Sequence, residues 1–151
     1  MDRAWGAVIG LIFLVFIAGS FLVGQISGAN AGGCDRALAP LPGGMAISAE
    51  ALNAEDASLG RVITSFGQGD SATADATFYG PVHSFMHNVD PPIRLVDGDI
   101  ARNLCNTVVQ LETDLIAGSN ATNSKLADDT TKVREALRDG AVVLGYARPG
   151  S

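Results

Sequence analysis

Apolar positions follow two regimes along this chain. From Ala4 to Gln25 they are almost continuous, and no charged residue interrupts them. At about 1.5 Å per residue, such a run covers roughly 30 Å as a helix, the hydrocarbon thickness of a bilayer. Beyond residue 48 the pattern becomes periodic. Leu52, Leu59, Val62, Ile63 and Phe66 fall on one helical stripe behind Ser48, a plausible N-cap, with Gly60 weakening the run. Ile100, Leu104, Val108, Leu111 and Leu115 recur at three- and four-residue intervals and predict a helix over Asp99–Gly118, with Gly118 as its stop. A further helix is expected behind Ser124, carrying Leu126, Val133 and Leu137 on a narrow apolar face and ending at Gly140.

The segments between these stripes read differently. DRALAPLPGG, Asp35–Gly44, has two prolines and a glycine pair and reads as a linker or turn. GQGDSATADATFYGP is rich in small polar residues and reads as a loop. Pro81–Asn88 fits a short helix, which Asp90-Pro91-Pro92 is expected to stop before an extended Ile93–Val96. Ala141–Tyr146 reads as a short strand or an apolar tail. The last two long helices, joined by about six residues, are expected to form an antiparallel hairpin. The fold class expected is therefore mainly α. A transmembrane anchor over residues 1–28 and a stalk over 29–47 precede a small extracytoplasmic helical domain over 48–151, with little or no β structure.

The apolar run exceeds the 7–15 residues typical of a signal peptide, and the start Met-Asp-Arg carries little net positive charge. Length thus favours an uncleaved spanning helix, although Ala29-Asn30-Ala31 matches a small-x-small cleavage pattern and Cys34 superficially resembles a lipid-acceptor cysteine. Gly6, Gly10, Gly24 and Gly28 form two GxxxG spacings that share one helical face, with Phe13 and Ile17 between them. Such a face lets another membrane helix approach closely. Arg3 and Arg36 nearly balance the positive-inside count. Two cysteines and few lysines favour an oxidising exterior for the domain. The location expected is a bacterial inner membrane, with the N-terminus cytoplasmic and the C-terminal domain periplasmic.

Charge removes one class of function. The net charge is -6, and the ten basic residues form no cluster, so nucleic acid is not an expected partner. Cys34 and Cys105 are the only cysteines, and in an exported domain an even count invites a disulfide. That bridge would close a loop of about 70 residues and stabilise the domain by on the order of 4 kcal/mol in the loop-entropy description. His83 and His87, the only histidines, lie four apart in PVHSFMHNVD and share a face if the segment is helical. They could ligate one metal ion, with Asp90 as a third ligand. Ser84 stands where the Glu of an HExxH zinc helix would be, so metalloprotease chemistry is not expected. The alternative is a surface or interface role for both histidines, with Phe85 and Met86 facing inward. Glu50, Glu55, Asp56, Asp128 and Asp129 are expected on solvated helix faces. No GxSxG elbow or other catalytic set is present, and neither an enzymatic activity nor a cofactor is expected.

The leading functional expectation is a non-catalytic, single-pass accessory subunit of a larger bacterial membrane complex. It would pack against integral membrane protein subunits through the glycine face, within the lipid bilayer, and cap the complex on the periplasmic side. A long apolar helix before a small disulfide-bearing domain also resembles pilin-like filament subunits, in architecture only. The type IV pilin pattern has a Glu early in the mature helix, whereas no acid lies between Asp2 and Asp35 here. A periplasmic metal-binding module using His83 and His87 is the third expectation.

Overall fold

The computed structural model describes residues 33–42, 46–116 and 119–151. The anchor expected over residues 1–28, its glycines Gly6, Gly10, Gly24 and Gly28, the Ala29-Asn30-Ala31 pattern and Gly118 lie outside the described residues. Among the described residues no helix is long and apolar enough to cross a membrane.

The described chain is mainly helical and contains no strand. After a 3-10 turn at Gly33–Asp35 come α1 (Ala49–Gly67), α2 (Ser71–Thr77), a π-helical turn (Phe78–Val82), α3 (His83–Val96), α4 (Gly98–Leu115) and α5 (Asn123–Val143). The α1 stripe is buried at Leu52, Leu59, Val62 and Phe66, while Ile63 stays partly exposed. Ser48 caps α1, its hydroxyl accepting from the Ala51 N–H at 3.1 Å. Helix α5 lies between α1 and α4, α3 packs on α4, and the π turn reaches back to α1. These elements close around one apolar core that includes Phe66, Phe78, Phe85, Met86, Ile93, Leu104, Leu111 and Leu137. The ends of α5 give its direction. Asn123 at its start accepts from Ser71, just beyond α1, and Tyr146, past its end, donates to the Ile47 carbonyl ahead of α1. Lys125 in its first turn pairs with Asp114 in the last turn of α4. Helix α5 is thus antiparallel to both neighbours, and the expected hairpin is present.

Several expectations are corrected. The polar stretch read as a loop is helical from Ser71, because Asp70 caps α2 by accepting from the Thr73 N–H at 3.1 Å and Ala74 is driven fully into the core. Gly80, with ψ -131, and Pro81 then interrupt the α-helical register, and the chain takes the wider π turn with Phe78 and Val82 buried. Helix α3 does not stop at Asp90-Pro91-Pro92 but continues to Val96. The proline rings lose two helical N–H donors, yet Ile93 is buried beyond them and Asp90 grips Arg94 one turn on. Tertiary contacts therefore override the local stop.

The start of α4 and the cap of α5 also shift. Helix α4 starts at Gly98, one residue before the expected Asp99, and Asp97 caps it, accepting from the Asp99 and Ile100 N–H groups at 3.0 Å each. Thr122, not Ser124, caps α5. Gly140 does not end α5: it is buried against Ile93, whose Cδ1 lies 2.4 Å from where a Cβ would stand. The true stop is Gly145, at φ +86, where the Tyr146 N–H reaches back to the Ala141 carbonyl at 3.0 Å. Ala141–Val143 is therefore the last turn of α5, not a strand. Finally, three carboxylates expected in solvent are buried: Glu55, Asp56 and Asp129. Asp56 takes both Arg134 and Arg138 from α5, and Asp129 takes Lys125 and Lys132.

Candidate metal centre

The π turn and the start of α3 set the candidate site. With His83 and His87 one helical turn apart, their rings share a face, with centroids 4.6 Å apart. Phe85 and Met86 point the opposite way into the core. The face bearing the histidines meets α4 at Glu112. Its Oε1 lies 2.6 Å from His83 Nε2 and 3.4 Å from His87 Nε2. Among the described residues, these side chains form the one group of three whose potential ligand atoms lie within 4.8 Å of one another.

Asp90, the expected third ligand, is committed elsewhere. It is fully buried, accepts the Leu38 N–H at 2.8 Å, and holds the Arg94 guanidinium at 3.1 Å. Sequence reasoning overlooked Glu112, although a signal existed. It stands on α4 among Val108, Leu111 and Leu115, at the flank of the apolar stripe, where an acid must meet the neighbouring helix.

The hydrogen-bond partners fix part of the chemistry. His87 Nδ1 lies 2.8 Å from the carbonyl of Ala39. A carbonyl only accepts, so Nδ1 carries the proton, and in the neutral ring the Nε2 lone pair faces His83 and Glu112. Zinc bonds of about 2.0–2.1 Å in tetrahedral geometry separate ligand atoms by roughly 3.3 Å. The His87–Glu112 spacing already matches, and the His83–Glu112 contact would have to open by about 0.7 Å. Side-chain exposures of 20% for His83, 14% for His87 and 23% for Glu112 leave the site reachable by a solvated ion.

The electrostatics keep Glu112 ionised. Burial works against the charged form of Glu112, but hydrogen bonds and positive charge from both imidazoles outweigh it and hold its pKa down to about 2. Burial alone lowers the pKa of His87, yet the hydrogen bonds to Glu112 and to the Ala39 carbonyl, with the charges of Glu112 and Asp90, leave it raised. Tyr79, four residues before His83, sets its ring edge-on at 5.4 Å from the His83 ring. Its hydroxyl pKa is raised by burial first, then by the negative charges of Glu112 and Asp75. One buried carboxylate oxygen of Asp75 has no hydrogen-bond partner among the described residues.

Cys34 and Cys105 are joined, with their Cα atoms 5.6 Å apart. Cys105 lies on α4, two turns before Glu112 on the same side of the helix. No family model matches the chain, and no curated protein or solved structure matches it well enough to carry an argument.

Proposed function

We propose that the helical domain is an extracytoplasmic metal-binding module that holds one divalent transition-metal ion, of the zinc class, through His83, His87 and Glu112. The observation that supports it is the convergence of Glu112 from α4 on two imidazoles from α3, one of them already oriented by a carbonyl. Two imidazoles and a carboxylate match the ligand softness of zinc and of other first-row divalent ions. Three protein ligands leave coordination positions for water or a transferable ligand, which suits reversible holding of the ion better than a closed structural site. We expect the full chain in detergent micelles to bind zinc one-to-one in a chelator-competition titration. Glu112→Gln and His87→Ala are expected to weaken that binding by more than about 100-fold, beyond the range of outer-sphere changes. A wild-type protein that takes up no stoichiometric zinc ends this reading.

A second reading is the single-pass accessory subunit of a bacterial inner-membrane complex, with this domain on the periplasmic side. Leu95 and Val96 favour it: they stand 90% and 64% exposed at the end of α3, adjacent apolar side chains that the domain core does not use. Extraction from the native membrane in mild detergent, followed by native electrophoresis, tests it. Co-migration with other subunits is expected, and a Leu95→Asp chain should run alone. A wild-type chain that runs alone rejects it.

A further inference from the structure

We propose that the Cys34–Cys105 bridge sets the metal affinity of the His83/His87/Glu112 site, so that the site reaches full affinity only after the bridge has formed. This inference rests on the metal-binding reading above. It begins with the path of the chain from residue 34 to residue 41, where the backbone runs along α3 and α3 side chains hold it. The Cys34 carbonyl accepts from Arg94 Nη1 at 3.1 Å, and the Leu38 N–H donates to Asp90 Oδ2 at 2.8 Å. The Ala39 carbonyl accepts from His87 Nδ1 at 2.8 Å. Leu41 donates to Asn88 Oδ1 and accepts from Asn88 Nδ2, both at 2.9 Å. As the strap advances its partners retreat along α3, from Arg94 through Asp90 to Asn88 and His87, so strap and helix are antiparallel.

One end of this strap is tied covalently to α4 through Cys105, and near its other end a carbonyl orients a metal ligand. Beyond the turn at Gly33–Asp35 the strap has no regular structure of its own. Its place therefore depends on the bridge, on the packing of Leu38, which is 9% exposed, on the buried Leu38–Asp90 hydrogen bond, and on other hydrogen bonds for which water competes. An imidazole whose outer N–H is held by a fixed acceptor keeps its tautomer and ring orientation and is the better ligand. With the bridge open, Ala39 is held only by the packing of Leu38 and the hydrogen bonds to α3, and the hold on His87 loosens.

The redox step is an ordinary exchange. The two thiols lose two protons and two electrons as the S–S bond forms, and a disulfide-donating oxidant takes both electrons and is reduced to its dithiol. Cys34 is 8% exposed and Cys105 2%, so the finished bridge is shielded from attacking thiolates. The order that follows is a maturation sequence, with oxidation first and tight metal loading second.

The test measures zinc affinity by chelator competition for the full chain in micelles. Its forms are the oxidised wild type, the Cys34→Ser/Cys105→Ser variant, and Asn88→Ala with the bridge intact. Helical circular dichroism reports the fold, and NMR of the imidazole nitrogens reports the His87 tautomer. The serine variant is expected to bind about 10–100-fold more weakly, the range for an outer-sphere change, with the Nδ1-protonated tautomer no longer dominant. Asn88→Ala, which frees Leu41, should fall in the same direction by less. Equal zinc affinity in the wild type and both variants, with helix retained, overturns the inference and leaves the metal reading standing. Oxidised wild type without zinc overturns the metal reading, and this inference falls with it. Should the serine variant fail to fold, Asn88→Ala decides: unchanged affinity and tautomer overturn the proposal.

Discussion

Two carboxylates on different helices of this domain meet cations of different kinds. Asp56 on α1 is held by two guanidiniums from α5: Arg134 at 2.9 and 2.7 Å, and Arg138 at 2.6 and 3.3 Å. Glu112 on α4 faces two imidazoles from α3 instead. A guanidinium keeps its charge throughout the working pH range and has no lone pair to offer a metal, so the Asp56 cluster is complete as it stands. An imidazole can release its proton and turn a lone pair toward a cation, and this is the exchange we propose for the Glu112 cluster. The first arrangement serves the fold, and the second is available for chemistry.

Removing each acid breaks the comparison most directly. Asp56→Ala strands two guanidiniums at the α1–α5 contact. We expect a loss of about 3 kcal/mol, the low end for breaking a buried pair, since both arginines keep some solvent contact. Glu112→Ala leaves imidazoles that can become neutral, and in metal-free buffer it should cost about 1.5 kcal/mol, the low end for a hydrogen bond to a charged group. Urea denaturation monitored by circular dichroism measures both. Equal costs would mean that both clusters are structural and would erase the distinction. Zinc binding should be untouched by Asp56→Ala.

Acid titrates both carboxylates in the same direction, so each must be removed separately to apportion the effect. Burial raises the pKa of Asp56, but hydrogen bonds and charge from Arg134 and Arg138 outweigh it and hold the folded value below the ordinary 3.8. A folded value below the unfolded one means that the native state favours the carboxylate. Its stabilisation is complete above the unfolded value and disappears as pH falls through the folded one. The urea midpoint of the wild type should therefore fall below about pH 4, and Asp56→Asn should remove its own part of that acid limb, while the part from Glu112, whose folded value is held at about 2, remains. Because arginine does not titrate in the accessible range, the pair contributes no alkaline limb. An acid limb of unchanged depth in Asp56→Asn would assign it to other carboxylates.

The two sides were not equally legible in the sequence. The helices that carry Asp56, Arg134 and Arg138 announce themselves by apolar periodicity, because Leu52, Leu59, Val133 and Leu137 must face one core. Their pairing is invisible, since residues 56 and 134 are joined only by packing, and charged positions on a helix read as solvated. On the other side, local signals mislead. Ser, Thr and Ala hide α2, and Gly80-Pro81 and Pro91-Pro92 read as stops where burial of Phe78, Phe85 and Ile93 carries the chain onward. The histidine pair was legible from its spacing. Glu112 was not, because its role arises from the packing of α4 on α3. The stretch around Cys34 reads as a linker by composition, and only its partners on α3 make it a strap.

The smallest expected effect probes how closely the arginine side is fitted. Gly60 lies on α1 where Arg134 crosses toward Asp56, and a Cβ placed there would stand 3.4 Å from the guanidinium carbon and from Nη1. That is ordinary van der Waals contact, so alanine fits without moving the arginine. In a helix interior, alanine in place of glycine gains up to about 1 kcal/mol from reduced backbone entropy in the unfolded chain. Gly60→Ala should therefore raise the urea midpoint modestly and leave the acid limb unchanged. The larger Gly60→Val cannot be fitted in this way. It must displace the guanidinium, and it should weaken the part of the acid limb that Asp56→Asn removes. If alanine already destabilises the domain, the clamp on Asp56 is tighter than these distances allow, and the gap left by glycine is a requirement of the ion pair.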